Sequence, residues 1–412
     1  LCMGINDIIL WLMLILMAVA GLDRCLFGYR LGLGDKFEEG FNSLGALALS
    51  MVGAICIAPV LGNVLEPIVG PIYQALGANP AMFATTLLAN DMGGQPLAMN
   101  LSGATAIIAA DPTLAQLPQA GDAVGLEQAF RSMPADAQNA WNAGNFAGLI
   151  LGAMMGPTIV FSIPVALGII ALEDRPFLAR GILIGMITIP LGCLAGGLVK
   201  GYPFMWMVVN LIPVIIVAVL IALGLAFIPD TMIKLFLLFG KFVILVLTVA
   251  LVCAGIEGAT GVAIIPNMAP ISEGFAVIGG IAVVLAGAFA FVYLLTKFLG
   301  GPLEKIGGLL GMNKVAAAGM VATLANNIAM FSILKDMDDR GKVINVAFCV
   351  SAAFTFGDHL GFTAGVNKDM IFAMVVGKLV GGVTAVILAY FMAPKADPAQ
   401  MAERAAQASA AA

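Results

Sequence analysis

Two aspartates lie where an apolar chain has little use for charge. Asp91 interrupts the apolar stretch Ala81 to Ala110, within Asn90-Asp91-Met92-Gly93-Gly94-Gln95-Pro96, and Asp358 sits in Gly357-Asp358-His359 inside the window Val343 to Val366. An ionised Asp at the centre of a membrane span costs ~2.5 to 3.5 kcal/mol, so each carboxylate needs a partner or water. A third interruption, Asn326-Asn327, breaks the window Val315 to Leu334. Carboxylates, amide side chains and the carbonyls that glycine turns leave free are the groups that hold a small cation. Asn90, Asp91, Asn326, Asn327, Asp358 and His359 are therefore the candidate substrate-binding residues. The same residue types also cap helix ends, and the two roles are compatible.

His359, the only histidine, is suited either to accepting protons near neutral pH or to orienting Asp358. A single histidine gives no basis for a His-based metal centre, and no metal or cofactor is expected. Phe354, Phe356 and Phe362 flank Asp358 and offer either an aromatic wall for an ammonium group or ordinary core and lipid-facing packing. The chain contains no P-loop, GxSxG or HExxH string, and no nucleophile or second base stands at a matching distance from Asp358 and His359, which argues against an enzyme.

The elements that must position these residues follow from composition. Of 412 residues 61% are hydrophobic and only 10% charged, with mean hydropathy +1.05, which places the chain in the membrane. Apolar windows run from Ile8 to Phe27, Ser43 to Leu65, Gly181 to Val199, Met205 to Ile228, Met232 to Gly255, Phe275 to Thr296 and Met370 to Ala393, long enough for helices rather than barrel strands. Ile8 to Phe27 has no basic region before it and reads as a retained span. Ala81 to Ala110 and Val315 to Leu334 read as re-entrant hairpins. Asn145 to Leu172, with Gly156-Pro157, and Val343 to Val366 read as helices broken at membrane depth, tolerable only beside a polar cavity or buried protein. The six cysteines form no CxxC pair, and a net charge of −5 gives no footprint for nucleic acid.

Landmarks recur. Glu39-Gly40-Phe41 with Gly45 returns as Glu273-Gly274-Phe275 with Gly279, and Gly77 with Asn79 as Gly311 with Asn313, each 234 residues on (274 − 40, 311 − 77). Loop charge reverses between the copies: Asp23 to Glu39 is basic where Ile256 to Glu273 has no Lys or Arg, and Glu66 to Pro80 lacks the basic residues found in Lys297 to Lys314. The expected fold is an all-α polytopic membrane protein of two inverted-topology repeats with about nine full spans, the N-terminus outside and the C-terminus inside. Repeat one covers 1–200 with an external loop at about 102–141, a linker span covers 201–229, repeat two covers 230–394, and 395–412 is a disordered tail. Gly148, Gly152 and Gly156 make a flat helix stripe that permits close packing, including a homodimer, without requiring one. Lys378, in the last span, either neutralises a buried carboxylate or snorkels to an interface.

Gly45-Ala-Leu-Ala-Leu, Leu76-Gly-Ala-Asn-Pro-Ala-Met-Phe-Ala, Asn90-Asp-Met-Gly-Gly, Gly148 to Ile170, Ala316 to Asn327 and Gly357-Asp-His-Leu-Gly-Phe together resemble the EutH-type ethanolamine permeases of bacterial ethanolamine utilisation. The resemblance runs from Gly4 to Pro394 and departs mainly at Ser102 to Trp141 and Ile256 to Ile271. It implies uptake of ethanolamine, in its protonated form, across the bacterial inner membrane. It assigns no site residues. An ion-coupled transporter of another small polar solute shares the features other than the family strings, and an intramembrane enzyme is the remaining rival.

Overall fold

Backbone N–H and C=O groups in hydrocarbon must be satisfied within the chain, and the protein answers with helices throughout. The structure, a computed structural model, describes residues 4–119, 123–395 and 397, and no strand occurs among them. The expected tail therefore lies almost wholly outside the described residues. Seven helices are long and apolar enough to cross a membrane: Ile5–Cys25, Gly34–Ala75, Leu172–Lys200, Phe204–Gly224, Lys234–Thr260, Ile271–Phe298 and Lys368–Met392. The pair Ala135–Ala153 and Met155–Ile169, bent by 41°, makes an eighth if counted as one span. The bend sits at Met154, two residues before the Gly156-Pro157 expected from sequence, because Pro157 lies in the first turn of the second half, where its missing N–H is harmless. The second broken helix consists of Asp339–Ala352 and Asp358–Val366.

Both interrupted windows fold back. Ala81–Leu87 and Gln95–Leu101 pack on each other across Asn90–Gly94, where Met92 and Gly93 leave helical geometry. Gly93 takes φ 92, and a methyl group there would lie 2.9 Å from the Ala54 side chain. Lys314–Ala325 and Asn327–Ser332 likewise pack together across Asn326, whose Oδ1 accepts from Ile328 N at 2.8 Å. Each hairpin follows the same turn. Gly77 N bonds Gln74 O and Ala78 N bonds Tyr73 O, while Gly311 N bonds Gly308 O and Met312 N bonds Gly307 O, with φ 71 and 70 at the two glycines.

The 102–141 region is helical rather than an open loop. Ala104–Ala110, Pro112–Gln119, Ala123–Arg131 and Ala135–Asn145 enclose a small core in which Phe130 stacks on Trp141 at 4.7 Å. Its key is Glu127, 5% exposed, which accepts from the Trp141 indole at 2.6 Å and pairs with Lys200 at 3.1 Å. Burial pushes this carboxyl up, but the indole hydrogen bond and the Lys200 and Arg131 charges outweigh it and hold it below its ordinary 4.5. The ionised form therefore stabilises the cap fully above that value, and the contribution fades as pH falls through the lowered one. A variant retaining Trp141 alone, with Trp11→Phe and Trp206→Phe, should keep constant emission at neutral and mildly acidic pH and red-shift only below 4.5. A shift centred near neutrality would contradict this pairing.

Side-chain ties sort the helix ends into two sets. At one end Asn6 bonds Asp369 O and Phe372 N, Lys200 meets the cap, Asn79 N donates to Asn210 Oδ1, and the Trp206 indole donates to Asn139. At the other, Lys342 pairs with Asp174 at 2.6 Å with both side chains 3% exposed, Arg340 donates to the carbonyls of Leu310, Tyr390 and Pro394, and Asn313 N donates to Asp338.

Between these ends the helices cross through glycines. A methyl group at Gly40 would collide with the backbone of Ala286, and one at Gly274 would lie 3.1 Å from Val52 Cα. A methyl group at Gly53 would overlap the Leu247 carbonyl, and one at Gly287 the Met13 carbonyl. Gly192 and Gly196 lie against Gly377 and Gly381 in the crossing of Arg175–Lys200 with Ile371–Met392.

Candidate functional site

Each break is built against another. Gly156 has no room for a methyl group against the Leu88 carbonyl at the first hairpin's turn, and Gly357 has none against the Ala325 carbonyl at the second. The expected glycine stripe packs on the first hairpin as well: Gly148 against Gln95 and Gly152 against Thr85. Phe354 N and Phe356 N donate to Thr323 O and Leu324 O, fastening the second break to the second hairpin. Thr158 Oγ1 reaches Val350 O at 3.3 Å and ties the two broken helices together.

Within this frame Asn90–Gly94 packs on the helix that Asp358 begins. Asp91 and Asp358, both half-buried, are close enough for their charges to act on one another, and among the described residues no ion pair reaches either carboxylate. Asn90 is fully buried with neither amide atom partnered. Asn327, also fully buried, donates to Ser162 Oγ at 2.7 Å and leaves its Oδ1 without a partner. Asn326 differs from the rest: it is half-buried and its Oδ1 is engaged as a helix cap, the bland alternative foreseen for it. His359 is 2% exposed with an unpartnered Nδ1, and its ring lies 5.2 Å from that of Phe354. Phe354 itself adopts φ 62 and packs edge-on to Phe161, whereas Phe356 turns to Phe291 and Phe362 is core.

Sequence reading missed the hydroxyls. Thr85, Thr323, Ser351 and Thr363 are buried with no partner for their oxygens, and Ser162 holds Asn327. Single hydroxyls in apolar helices commonly bond the preceding turn, so only the structure distinguishes those that do not. Lys378 does not snorkel. It is 1% exposed and its Nζ donates to the Ala153 carbonyl, beside which His359 also lies.

A buried polar atom without a partner costs about 1 to 3 kcal/mol, so a cluster of them marks a place prepared for polar company. Here acceptors and negative charge meet amide and hydroxyl donors, the complement of a small molecule with an ammonium group and a hydroxyl. Among the described residues no group of three His, Cys, Asp or Glu is placed to hold a metal ion. Two clefts, of about 500 Å³ beside Asn79 and Asn210 and about 260 Å³ beside Asn6 and Lys200, open at the helix ends rather than at this cluster.

These features define a multi-helix membrane protein with an acidic, amide-rich polar centre. The chain belongs to the EutH family, described as "Ethanolamine utilisation protein, EutH", which matches residues 5–117 and 106–392. It is similar to the "Probable ethanolamine permease EutH" of Listeria monocytogenes, 57% identical over 391 residues and 95% of each chain. Proteins of the same description from Salmonella typhimurium and Escherichia coli K12 are 47% and 48% identical, covering 97% and 96% of this chain and 98% and 97% of theirs. No solved structure matches.

Proposed function

We propose that the chain is a permease carrying ethanolamine, as the ammonium ion, across the bacterial inner membrane. The observation that carries this reading is the pairing of Asp91 with Asp358, two carboxylates without ion-pair partners beside buried amides and hydroxyls where the broken elements pack together. One carboxylate takes the ammonium, and Asn90 and the Asn327–Ser162 pair face the hydroxyl. The protonated amine crosses lipid poorly, so the acidic centre stands in for water along its way. No covalent chemistry is required of the site, in keeping with a carrier rather than an enzyme.

The helix crossings support two inverted repeats. Adding 234 to Gly40 and Val52 gives Gly274 and Ala286, and the observed contacts are Gly40 with Ala286 and Val52 with Gly274. Gly53 against Leu247 is matched the same way by Gly287 against Met13. Such reciprocal contacts belong to a two-fold relation, and because the residue numbers run in opposite senses the paired helices are antiparallel, which sets the axis across them, in the membrane plane. The two sets of helix ends support nine crossings: the first broken helix runs from the cap to the Asp174 end, and the second returns from Lys342 to Asn367. Arg175, Arg180, Arg340 and Lys342 gather at the Asp174 end, which is then cytoplasmic, with the cap outside.

Purified protein in liposomes should take up labelled ethanolamine saturably, with the rate rising as the medium is made mildly acidic and ethanolammonium predominates. Uptake no greater than in protein-free liposomes, or equal inhibition by amines and by uncharged alcohols, would remove the proposal.

A further inference from the structure

The two-fold relation between the halves exposes one residue out of keeping with its counterpart. The crossing of Arg175–Lys200 with Ile371–Met392 is built from matching strings, Gly192-Cys193-Leu194-Ala195-Gly196-Gly197 and Gly377-Lys378-Leu379-Val380-Gly381-Gly382, which lie 185 residues apart (377 − 192) and pack glycine to glycine. Cys193 fills its place as a fully buried neutral side chain. Packing at this crossing therefore does not call for a cation, yet the other half supplies Lys378, at 1% exposure.

Its surroundings resemble what a substrate ammonium would need. The Nζ donates to the Ala153 carbonyl, the last of the half-helix Ala135–Ala153 before the bend at Met154, where the helix dipole presents partial negative charge. An ammonium has three donors, and the structure gives Lys378 this one acceptor. Charge on Asp91, from the first hairpin, acts directly on Lys378. From the second broken helix His359 and Cys349 face it, with Asp358 beside them coupled to Asp91. The helix Arg175–Lys200 presents Cys193, and Ile5–Cys25, also packed on the last span, bears Asp7, Asp23 and Arg24 only towards its ends. Lys378 is thus the one basic side chain among these facing groups, and it is tethered beside the carboxylate proposed to receive the substrate.

We propose that Lys378 is a built-in stand-in for the substrate: its ammonium neutralises the acidic centre while the site is empty and gives up a proton when ethanolammonium takes its place. In that step one N–H bond of the lysine breaks, the electron pair stays on nitrogen, and the proton passes to water at the face from which the substrate entered. When the substrate leaves on the opposite side, the amine takes a proton from water there. Each cation carried one way is matched by one proton carried the other, and no net charge crosses. This inference rests on the acidic site proposed above, and it adds a coupling that the site alone does not imply.

The experiment follows labelled ethanolamine in proteoliposomes whose membrane potential is set with potassium and valinomycin. An inside-negative potential of about 100 mV is worth about 2.3 kcal/mol per charge, close to a 50-fold change in the steady-state ratio for a lone cation. The unaltered protein should show no change in that ratio, whereas Lys378→Met and Lys378→Cys, the latter copying the other half, should retain uptake and become voltage-driven. A 50-fold response in the unaltered protein overturns the proposal without recourse to any variant. So does voltage indifference in both variants, or loss of ethanolamine binding from variants that remain monodisperse. If instead Asp91→Asn and Asp358→Asn transport normally, it is the acidic site itself that falls.

Discussion

Replacing Asp358 or Asp91 by Asn should reduce ethanolamine uptake by about 10- to 150-fold, the worth of a hydrogen bond to a charged group at about 1.5 to 3 kcal/mol. The substitution keeps shape and hydrogen-bonding capacity, so Asn at 358 still serves the start of the helix Asp358–Val366 and Asn at 91 still fits the Asn90–Gly94 turn. What it removes is charge, in a place where charge is costly to the folded protein. Neither carboxylate has an ion-pair partner among the described residues, and each carries the ~2.5 to 3.5 kcal/mol cost of an acid within a span. The thermal midpoint in detergent should therefore hold or rise as transport falls, the trade expected of a residue kept for function against stability. A fall in both would indicate a structural role. Undiminished uptake by well-folded protein would show that the ammonium is bound elsewhere.

Much of this arrangement was legible in the residue order because membranes leave few choices. Long apolar runs could only be helices, and polar interruptions could only be breaks facing protein or water, so Asn90–Gly94, Asn326 and Gly357-Asp358 were located correctly as breaks. The 234-residue recurrence also pointed to the right partners, since Gly40 and Gly274 turned out to be crossing points. Three things were not legible. The bend at Met154 rather than Gly156 depends on which turn Pro157 occupies, and a proline string does not specify that. The cap at 102–141 has the polar composition of a loop, and its small core around Phe130 and Trp141 appears only once Glu127 is paired with a distant Lys200. Asn326 and Asn327 are neighbours of one type, yet one caps a helix and the other points a free amide oxygen into the centre, a division set by backbone direction at the turn.

The other large effect concerns glycines far from the acidic centre. In an exposed helix, Gly→Ala gains about 0.5 to 1 kcal/mol by limiting the unfolded chain. At Gly53 and Gly287 the sign should reverse, because the new methyl group would overlap a carbonyl oxygen of the crossing helix, Leu247 in one case and Met13 in the other. Carbonyl backbone cannot swing aside as a side-chain tip does, so the helices must separate along their length, and overpacking of this kind costs about 1 to 3 kcal/mol or more. Both variants should lose thermal stability or fail to remain monodisperse. Gly45 and Gly279, also 234 residues apart, supply the control: a methyl group at either meets nothing within 4 Å, and alanine there should be neutral or mildly stabilising. The force of the test lies in the pairing. Two halves related by a two-fold axis must respond alike at matched positions, so Gly53→Ala and Gly287→Ala should shift the melting midpoint by similar amounts, as should Gly45→Ala and Gly279→Ala. A severe effect at one member with indifference at its partner would mean that the halves do not share one packing plan, and the inverted-repeat reading would lose its main support.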